Sequence, residues 1–239
     1  MNIALIGYGK MGKIIEQIAI SRGHMVNLTI DLYNINDFTQ DNLRKSDVAI
    51  EFTGPHSAYE NVMKCLEAGI PVVCGSTGWL DQYEKVVDYC KKKDGAFLYA
   101  SNFSVGVNIF FALNRILAKM MNGQQAYDVK MTEVHHTQKK DAPSGTAITL
   151  AEQILGEVKR KTGWVNHNTT SAGELSIESV REDPAPGTHK VLYTSDVDDI
   201  EIVHTAHNRN GFATGAVMAA EYIVGKKGVF SMKDVLSIG

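Results

Sequence analysis

Over its first half the chain alternates short unbroken apolar runs with longer stretches in which apolar residues recur every three or four positions. Asn2–Ile6 is such a run without alternation, the pattern of a parallel strand buried on both faces. A helical pattern follows through Ile14, Ile15, Ile18 and Ala19. The same reading predicts strands over 26–30, 46–52, 71–74 and 96–100, with helices over 58–68 and 80–92. A long amphipathic helix is predicted over 107–121, its stripe of Phe110, Phe111, Leu113, Leu117 and Met120 suited to packing. The pattern then changes class. A strand over 127–134 precedes a helix carrying Ala147, Leu150, Ala151, Ile154, Leu155 and Val158, and strand-like runs follow over 174–180, 189–195 and 200–204. The Pro- and Gly-containing stretch 182–187 suits a connection between antiparallel strands. A last helix is predicted over 211–224. The fold class expected is α/β: an N-terminal Rossmann doubly wound parallel sheet plus a smaller α+β domain with a mixed, mostly antiparallel sheet. Residues 1–104 and 209–239 are expected to form the first domain and 105–208 the second. The chain would then cross between them twice, a hinge able to close on a ligand.

The turn after the first strand carries chemistry. Gly7-Tyr8-Gly9-Lys10-Met11-Gly12 lies between strand and helix, and the next strand ends in Asp31. The first glycine permits the tight turn, the second lets backbone approach a pyrophosphate, and the third lets helix and strand pack closely. An acidic residue about 20 positions on can bind the adenosine ribose hydroxyls. Two further polar loops, Thr53-Gly54-Pro55 and Gly75-Ser76-Thr77-Gly78, fall at the carboxyl edge where open parallel sheets bind ligands. They suit the nicotinamide half of a dinucleotide.

Composition narrows the partners. With 239 residues, 44% of them hydrophobic, the chain can bury a substantial core, and a net charge of -3 gives no general attraction for nucleic acid or anionic membranes. The three cysteines, Cys65, Cys74 and Cys90, show no metal-binding or CxxC spacing and fit reduced, buried thiols. No run reaches membrane-spanning length and the N-terminal apolar run is too short for a signal peptide, so the expected location is cytoplasmic.

A second constellation occupies Glu133-Val134-His135-His136-Thr137-Gln138-Lys139-Lys140-Asp141-Ala142-Pro143-Ser144-Gly145-Thr146-Ala147. Two imidazoles and an ammonium group precede a Ser-Gly-Thr turn that opens a helix. Ser144 or Thr146 can serve as N-cap, and the free N–H groups of that first turn can seat a carboxylate or phosphate. If the strand stays extended through His136, the two imidazoles face opposite sides. That alternation argues against joint zinc binding by His135 and His136, and no metal is expected. A dinucleotide fold combined with such a pocket fits hydride transfer to a small carboxylate, with His135 or Lys139 as general acid. A dehydrogenase of another small amino- or oxo-acid, and a non-catalytic dinucleotide sensor, remain the alternatives at this level.

The run His135-His136-x-x-Lys139-x-Asp141-Ala-Pro-Ser-Gly-Thr146-Ala, with the N-terminal Gly-x-Gly-Lys-Met-Gly, resembles the 4-hydroxy-tetrahydrodipicolinate (dihydrodipicolinate) reductase family. Glu51-Phe52-Thr53, Gly75-Ser76-Thr77-Gly78, the run from Asn102 to Asn108 and Phe212-Ala213-x-Gly215-Ala216 extend the likeness over essentially the full length. The resemblance implies a Rossmann domain completed by C-terminal residues, a substrate domain whose sheet builds a homotetramer, and NADH- or NADPH-dependent reduction of a cyclic imine-type dicarboxylate to tetrahydrodipicolinate in lysine biosynthesis. It implies His135 and Lys139 as catalytic proton donors and His136, Gly145 and Thr146 as ligands of the substrate. Cofactor contacts are implied for Gly7, Tyr8, Gly9, Lys10, Met11, Gly12, Asp31, Gly75, Ser76, Thr77, Ala100, Ser101, Asn102 and Phe103. The chain departs from the family's pattern at Leu32, where many members carry Arg after the acidic residue. Asp31 without that cation opposes a 2'-phosphate, so a modest preference for NADH is expected. The stretch after Arg181 also lacks the family's usual Gly.

Overall fold

The computed structural model describes residues 1–238, which divide into two compact units: Met1–Val105 together with Asn210 onwards, and Gly106–Arg209. In the first unit the order is β1 (Asn2–Ile6), α1 (Lys10–Ser21), β2 (Met25–Ile30), α2 (Gln40–Leu43), β3 (Val48–Glu51), α3 (Ala58–Glu67), β4 (Val72–Cys74), α4 (Tyr83–Lys92) and β5 (Ala96–Tyr99). Helix α5 (Val105–Met121) leads into the second unit, with β6 (Asp128–His135), α6 (Gly145–Glu157), β7 (Gly163–Val165), β8 (Glu174–Arg181), β9 (Thr188–Thr194) and β10 (Asp199–Thr205). The chain returns through α7 (Asn210–Ile223), β11 (Gly228–Phe230) and α8 (Met232–Leu236) to the first unit.

The first unit is built on a parallel sheet ordered β11-β5-β4-β3-β1-β2. Its central strands β1, β3 and β4 are almost wholly buried, which is why they read as unbroken apolar runs. One face packs Ile15 and Ala19 of α1 with Ala213, Ala216, Val217 and Ala220 of α7. The other packs Val62 and Cys65 of α3 with Val86 and Cys90 of α4 around Trp79 and Phe97. Helices on both faces make the sheet doubly wound, and β1 and β3 are the neighbours at which the winding reverses, the point where such sheets open a ligand crevice. The predicted helix over 80–92 divides into a 3-10 turn, Leu80–Gln82, and α4. Elements too short to show a period, α2, β7, β11 and α8, were not legible in the pattern.

The second unit carries a mixed sheet ordered β10-β9-β6-β8-β7, antiparallel from β10 to β6 and parallel from β6 to β7. Strands β8 and β9 do run antiparallel, but β6 lies between them, so 182–187 bridges two non-adjacent strands and is not a hairpin turn. Alternation along β6 turns Val129, Met131, Glu133 and His135 to the buried side. Their neighbours Val191, Tyr193, Leu175 and Ile177 form the core with Leu150, Ala151 and Ile154 of α6.

Glycine has two opposite meanings in these helices. A Cβ added at Gly215 of α7 would lie 1.8 Å from the carbonyl oxygen of Phe103, whereas one added at Gly156 of α6 meets nothing within 4 Å. Gly215→Ala is therefore expected to lower the urea-unfolding free energy by about 2 kcal/mol or more through overpacking. Gly156→Ala is expected to raise it by about 0.5–1 kcal/mol through helix propensity.

Candidate active site

In the first unit Gly7 takes φ +100°, and a Cβ there would lie 2.2 Å from the Phe52 carbonyl oxygen, so only glycine allows β1 to turn this close to β3. Gly12 sits directly beneath, where a Cβ would meet the Gly7 carbonyl oxygen at 2.4 Å. Gly9 is different: it forms the N-cap of α1 with no side-chain cap, and a Cβ there faces open space. The first N–H groups of α1 are thus left for an incoming anion. Beside them lies a cavity of about 550 Å³ lined by Gly7, Tyr8, Gly9, Asp31, Thr53 and Gly54, among others. The Asp31 carboxylate is held in place by the backbone N–H groups of Tyr33 at 2.7 Å and Asn34 at 3.3 Å, both on Oδ1. Leu32 and Tyr33 are 92% and 98% exposed, and the cavity lining contains no Lys or Arg among the described residues.

A second hollow shares Phe52, Thr53, Gly54 and Pro55 and adds Met11, Gly75, Ser76 and Thr77. Its loops are cross-braced. The Thr53 N–H donates to Ser76 Oγ at 2.8 Å, and the Trp79 indole donates to the Ser76 carbonyl at 2.8 Å. Beneath them the fully buried Glu51 accepts from the Thr53 N–H at 3.0 Å and the Cys74 thiol at 3.0 Å. Burial pushes the Cys65 and Cys74 thiols well above the ordinary range, with the nearby Glu51 charge adding to it, so both stay protonated. Lys10 opens α1 and is exposed. Ala100, Ser101, Asn102 and Phe103 follow β5 and line neither hollow, with Ala100 and Phe103 buried in the core. The open N-terminus of α1, the space at Gly9 and the fixed acid at the end of β2 together fit a dinucleotide.

In the second unit β6 ends at His135, so the two histidines part company there. His135 is buried, and its Nδ1 is hydrogen-bonded to the carboxylate of the wholly buried Glu133. His136 lies just past the strand, its N–H donating to the Ala185 carbonyl at 2.8 Å, and it lines a separate hollow of about 370 Å³ with Gln138, Pro186 and Arg209. The Lys139 ammonium donates to both carboxylate oxygens of Asp141, at 2.8 Å each. That bond holds the Asp141 carboxyl below its usual range.

Register explains the rest. Glu133 faces His189 on β9, and His135 faces Arg181 on β8. Arg181 donates to Glu133 Oε1 at 2.8 Å and to the carbonyls of Lys139 and Asp141 at 3.3 and 2.7 Å, tying the loop to the sheet. Burial raises the Glu133 carboxyl, but the hydrogen bonds from His135 and Arg181 outweigh it and bring it down to about 2. The His189 ring stands edge-on to His135, 5.1 Å between centroids, with its Nε2 3.0 Å from Ser144 Oγ. Burial, with the positive charge available to His135 beside it, lowers His189 to about 4. Of the two candidate caps it is Ser144 that caps α6, accepting from the Ala147 N–H at 3.2 Å. Gly145 opens the helix, with Thr146 next. Glu133, His135 and His189 also form the cluster of described residues whose ligand atoms, within 4.8 Å of one another, could in principle hold a metal ion, but Arg181 already supplies a positive charge to Glu133. Glu133, Arg181 and His189 were not singled out as site residues from the sequence. A signal for the first was present, since Glu133 and His135 continue the inward alternation of Val129 and Met131 with polar groups. The other two come from strands whose register the sequence does not print.

Both buried groups have folded-state values below their unfolded ones, so both destabilise the fold on acidification. His189 loses its contribution as pH falls from 6.5 towards about 4, and Glu133 as it falls from 4.5 towards about 2. Urea titrations should show stability falling between pH 7 and 4, with about 3 kcal/mol of that loss from His189. His189→Gln is expected to flatten that upper window and leave the lower one in place.

The comparisons with known proteins bear on the family and the fold. Residues 1–103 match the family model described as dihydrodipicolinate reductase, N-terminus, and residues 106–236 match that described as dihydrodipicolinate reductase, C-terminus. The chain is 52% identical to the 4-hydroxy-tetrahydrodipicolinate reductase of Christiangramia forsetii over 99% of this chain and 98% of that protein. It is 34% identical to the enzyme of the same name from Neisseria meningitidis serogroup B, covering 93% and 84%. A dipicolinate-bound dihydrodipicolinate reductase from Paenisporosarcina sp. TG-14 shares the fold, with a TM-score of 0.81, 24% identity and 97% of each chain covered. With both family models matched in order and a relative sharing half its residues end to end, the chain belongs to the dihydrodipicolinate reductase family.

Proposed function

We propose that the protein is an NAD(P)H-dependent 4-hydroxy-tetrahydrodipicolinate reductase, forming tetrahydrodipicolinate in the diaminopimelate route to lysine. Family membership supports the reaction. The observation that carries the residue roles is the pairing of a buried, carboxylate-bound His135 with the capped N-terminus of α6 through His189 and Ser144. A proton-carrying group and an anion seat are linked through two side chains, which is what reduction of a cyclic imine dicarboxylate asks for.

When bound, the cofactor supplies the hydride. Gly7, Tyr8, Gly9, Lys10, Met11, Gly12 and Asp31 would hold its adenosine and pyrophosphate, and Gly75, Ser76, Thr77 and Ala100 to Phe103 its nicotinamide end. His135 exchanges the proton that balances the hydride. Lys139 supplies positive charge, and is the alternative donor of that one proton, once its ammonium exchanges Asp141 for substrate, and this competition makes Asp141 a holding partner. His136, Gly145 and Thr146 bind the substrate carboxylates, the last two with backbone N–H groups of the first turn of α6. The uncovered face of the mixed sheet, carrying Lys130, Thr132, Glu178 and Lys190, suits the homotetramer implied by resemblance. No helix of the described residues is long and apolar enough to cross a membrane, in keeping with a cytoplasmic enzyme.

A coupled assay that generates the substrate and follows loss of NADH absorbance tests the activity. In it, His135→Ala is expected to lower kcat by about 100-fold or more with little change in KM for NADH, since a general acid acts in the transition state. Lys139→Ala should lower kcat and raise the substrate KM together. A His135→Ala enzyme with near-normal kcat at saturating substrate removes that residue from the chemistry. The fixed Asp31 and the lack of Lys or Arg in the cavity favour NADH over NADPH by about 3- to 10-fold in kcat/KM. Asp31→Ser should narrow that ratio, and a tenfold advantage for NADPH in the unmodified enzyme overturns the assignment.

A further inference from the structure

Beyond the residues assigned to the reaction, the second unit contains a carboxylate with no access to solvent and an unusual set of neighbours. Glu133 divides its two oxygens between two strands' worth of partners: Oε1 accepts from Arg181 of β8 at 2.8 Å, and Oε2 is bound to His135 Nδ1. An ionised carboxylate costs several kcal/mol to bury, and it is retained where charge partners and hydrogen bonds satisfy it. Strand geometry leaves little freedom for the pair. Glu133 and His135 are two residues apart on one strand, so their side chains leave the same face, and a hydrogen bond from Nδ1 fixes the ring plane. On the far side of the ring, a Cβ placed at Gly187 would lie 3.0 Å from His135 Nε2, and Gly187 has φ +154°. A side chain there would press on Nε2, and glycine leaves that nitrogen uncrowded.

We propose that Glu133 is a positioning residue for the reduction: held by Arg181, it fixes the hydrogen of His135 on Nδ1 and so makes Nε2 the nitrogen that gives and takes the proton. An acceptor-only carboxylate can partner Nδ1 only when that nitrogen carries hydrogen. The charged and titratable groups facing His135 are Glu133 on its own strand, Arg181 on β8 and His189 on β9, and His189 in turn is acted on by His204 of β10 and Lys139 on the loop after β6. His189 stays neutral, because burial opposes its protonation, and therefore does not compete for the carboxylate. Its buried Nδ1 has no hydrogen-bond partner, and an unpartnered lone pair is cheaper to bury than an unpartnered N–H. Its hydrogen therefore sits on Nε2 and is donated to Ser144, which links the aligned proton carrier to the anion seat of α6.

The role of Glu133 in turnover rests on the proposed reductase activity, but the tautomer does not, so the two can fail separately. In the unmodified protein, ring 15N shifts of His135 should report Nδ1–H in the neutral state whether or not the enzyme reduces the expected substrate. The Nε2–H form overturns the proposal. In the activity assay, Glu133→Gln keeps the shape and removes the charge. Its kcat should fall about 100-fold, with KM for NADH within about twofold of the unmodified enzyme. A carboxylate beside an imidazole favours the imidazolium, so the limb of kcat against pH that reports the proton donor should move about one pH unit lower. Glu133→Asp should recover part of kcat and of the limb position. A Glu133→Gln enzyme within threefold of normal kcat, or one that loses kcat with the limb unmoved, overturns the role. If Glu133→Gln does not fold, the spectrum of the unmodified protein decides.

Discussion

The second unit depends on one buried negative charge. Glu133 follows Val129 and Met131 on the buried face of β6, and a carboxylate there is tolerable only because Arg181 and His135 meet it from two directions. Arg181 is in turn occupied by the carbonyls of Lys139 and Asp141, so the charge that holds Glu133 also anchors the loop between β6 and α6. A single interaction therefore couples the sheet, the histidine and the loop that leads into α6.

The surrounding apolar rows show how the sheet delivers that arrangement. Val191, Met131 and Ile177 share one level across β9, β6 and β8, and the next level up is His189, Glu133 and Ser179. Hydrophobic burial fixes the lower rows and with them the register, since a slip of one residue would turn every inward side chain out. The polar row inherits its alignment from the apolar one. The Rossmann-like unit follows the same logic with glycine in place of charge. The absence of side chains at Gly7 and Gly12 lets β1, α1 and β3 come close, and Gly9, with no side chain to cap the helix, leaves the N-terminus of α1 open.

Under the proposed function, selectivity and chemistry are separated along the chain. At the end of β2, Asp31 is held by its own turn, with Leu32 and Tyr33 exposed beside it, where the proposed function puts the choice of cofactor. The end of β6 carries the buried, hydrogen-bonded pair Glu133 and His135, to which the proposed function gives the proton.

Much of this was legible in the sequence, because the signals are local. Buried parallel strands read as unbroken apolar runs, the glycine turn is contiguous, and the His-His-Lys-Ser-Gly-Thr stretch lies within one loop and a helix start. What periodicity could not supply was short or long-range. The three-residue strands β7 and β11 are too brief to show a pattern. The stretch 182–187 looks like a hairpin until β6 is found between its strands. Which residue caps α6 and where β6 ends between the two histidines are local details that periodicity left open, and that Arg181 and His189 flank Glu133 follows from strand pairing between residues some 50 positions apart. The sequence determined which chemical groups are available and that a dinucleotide fold presents them. The tertiary structure decided their partners, because hydrogen bonds and ion pairs are set by register, and register is set by the packing of the whole core.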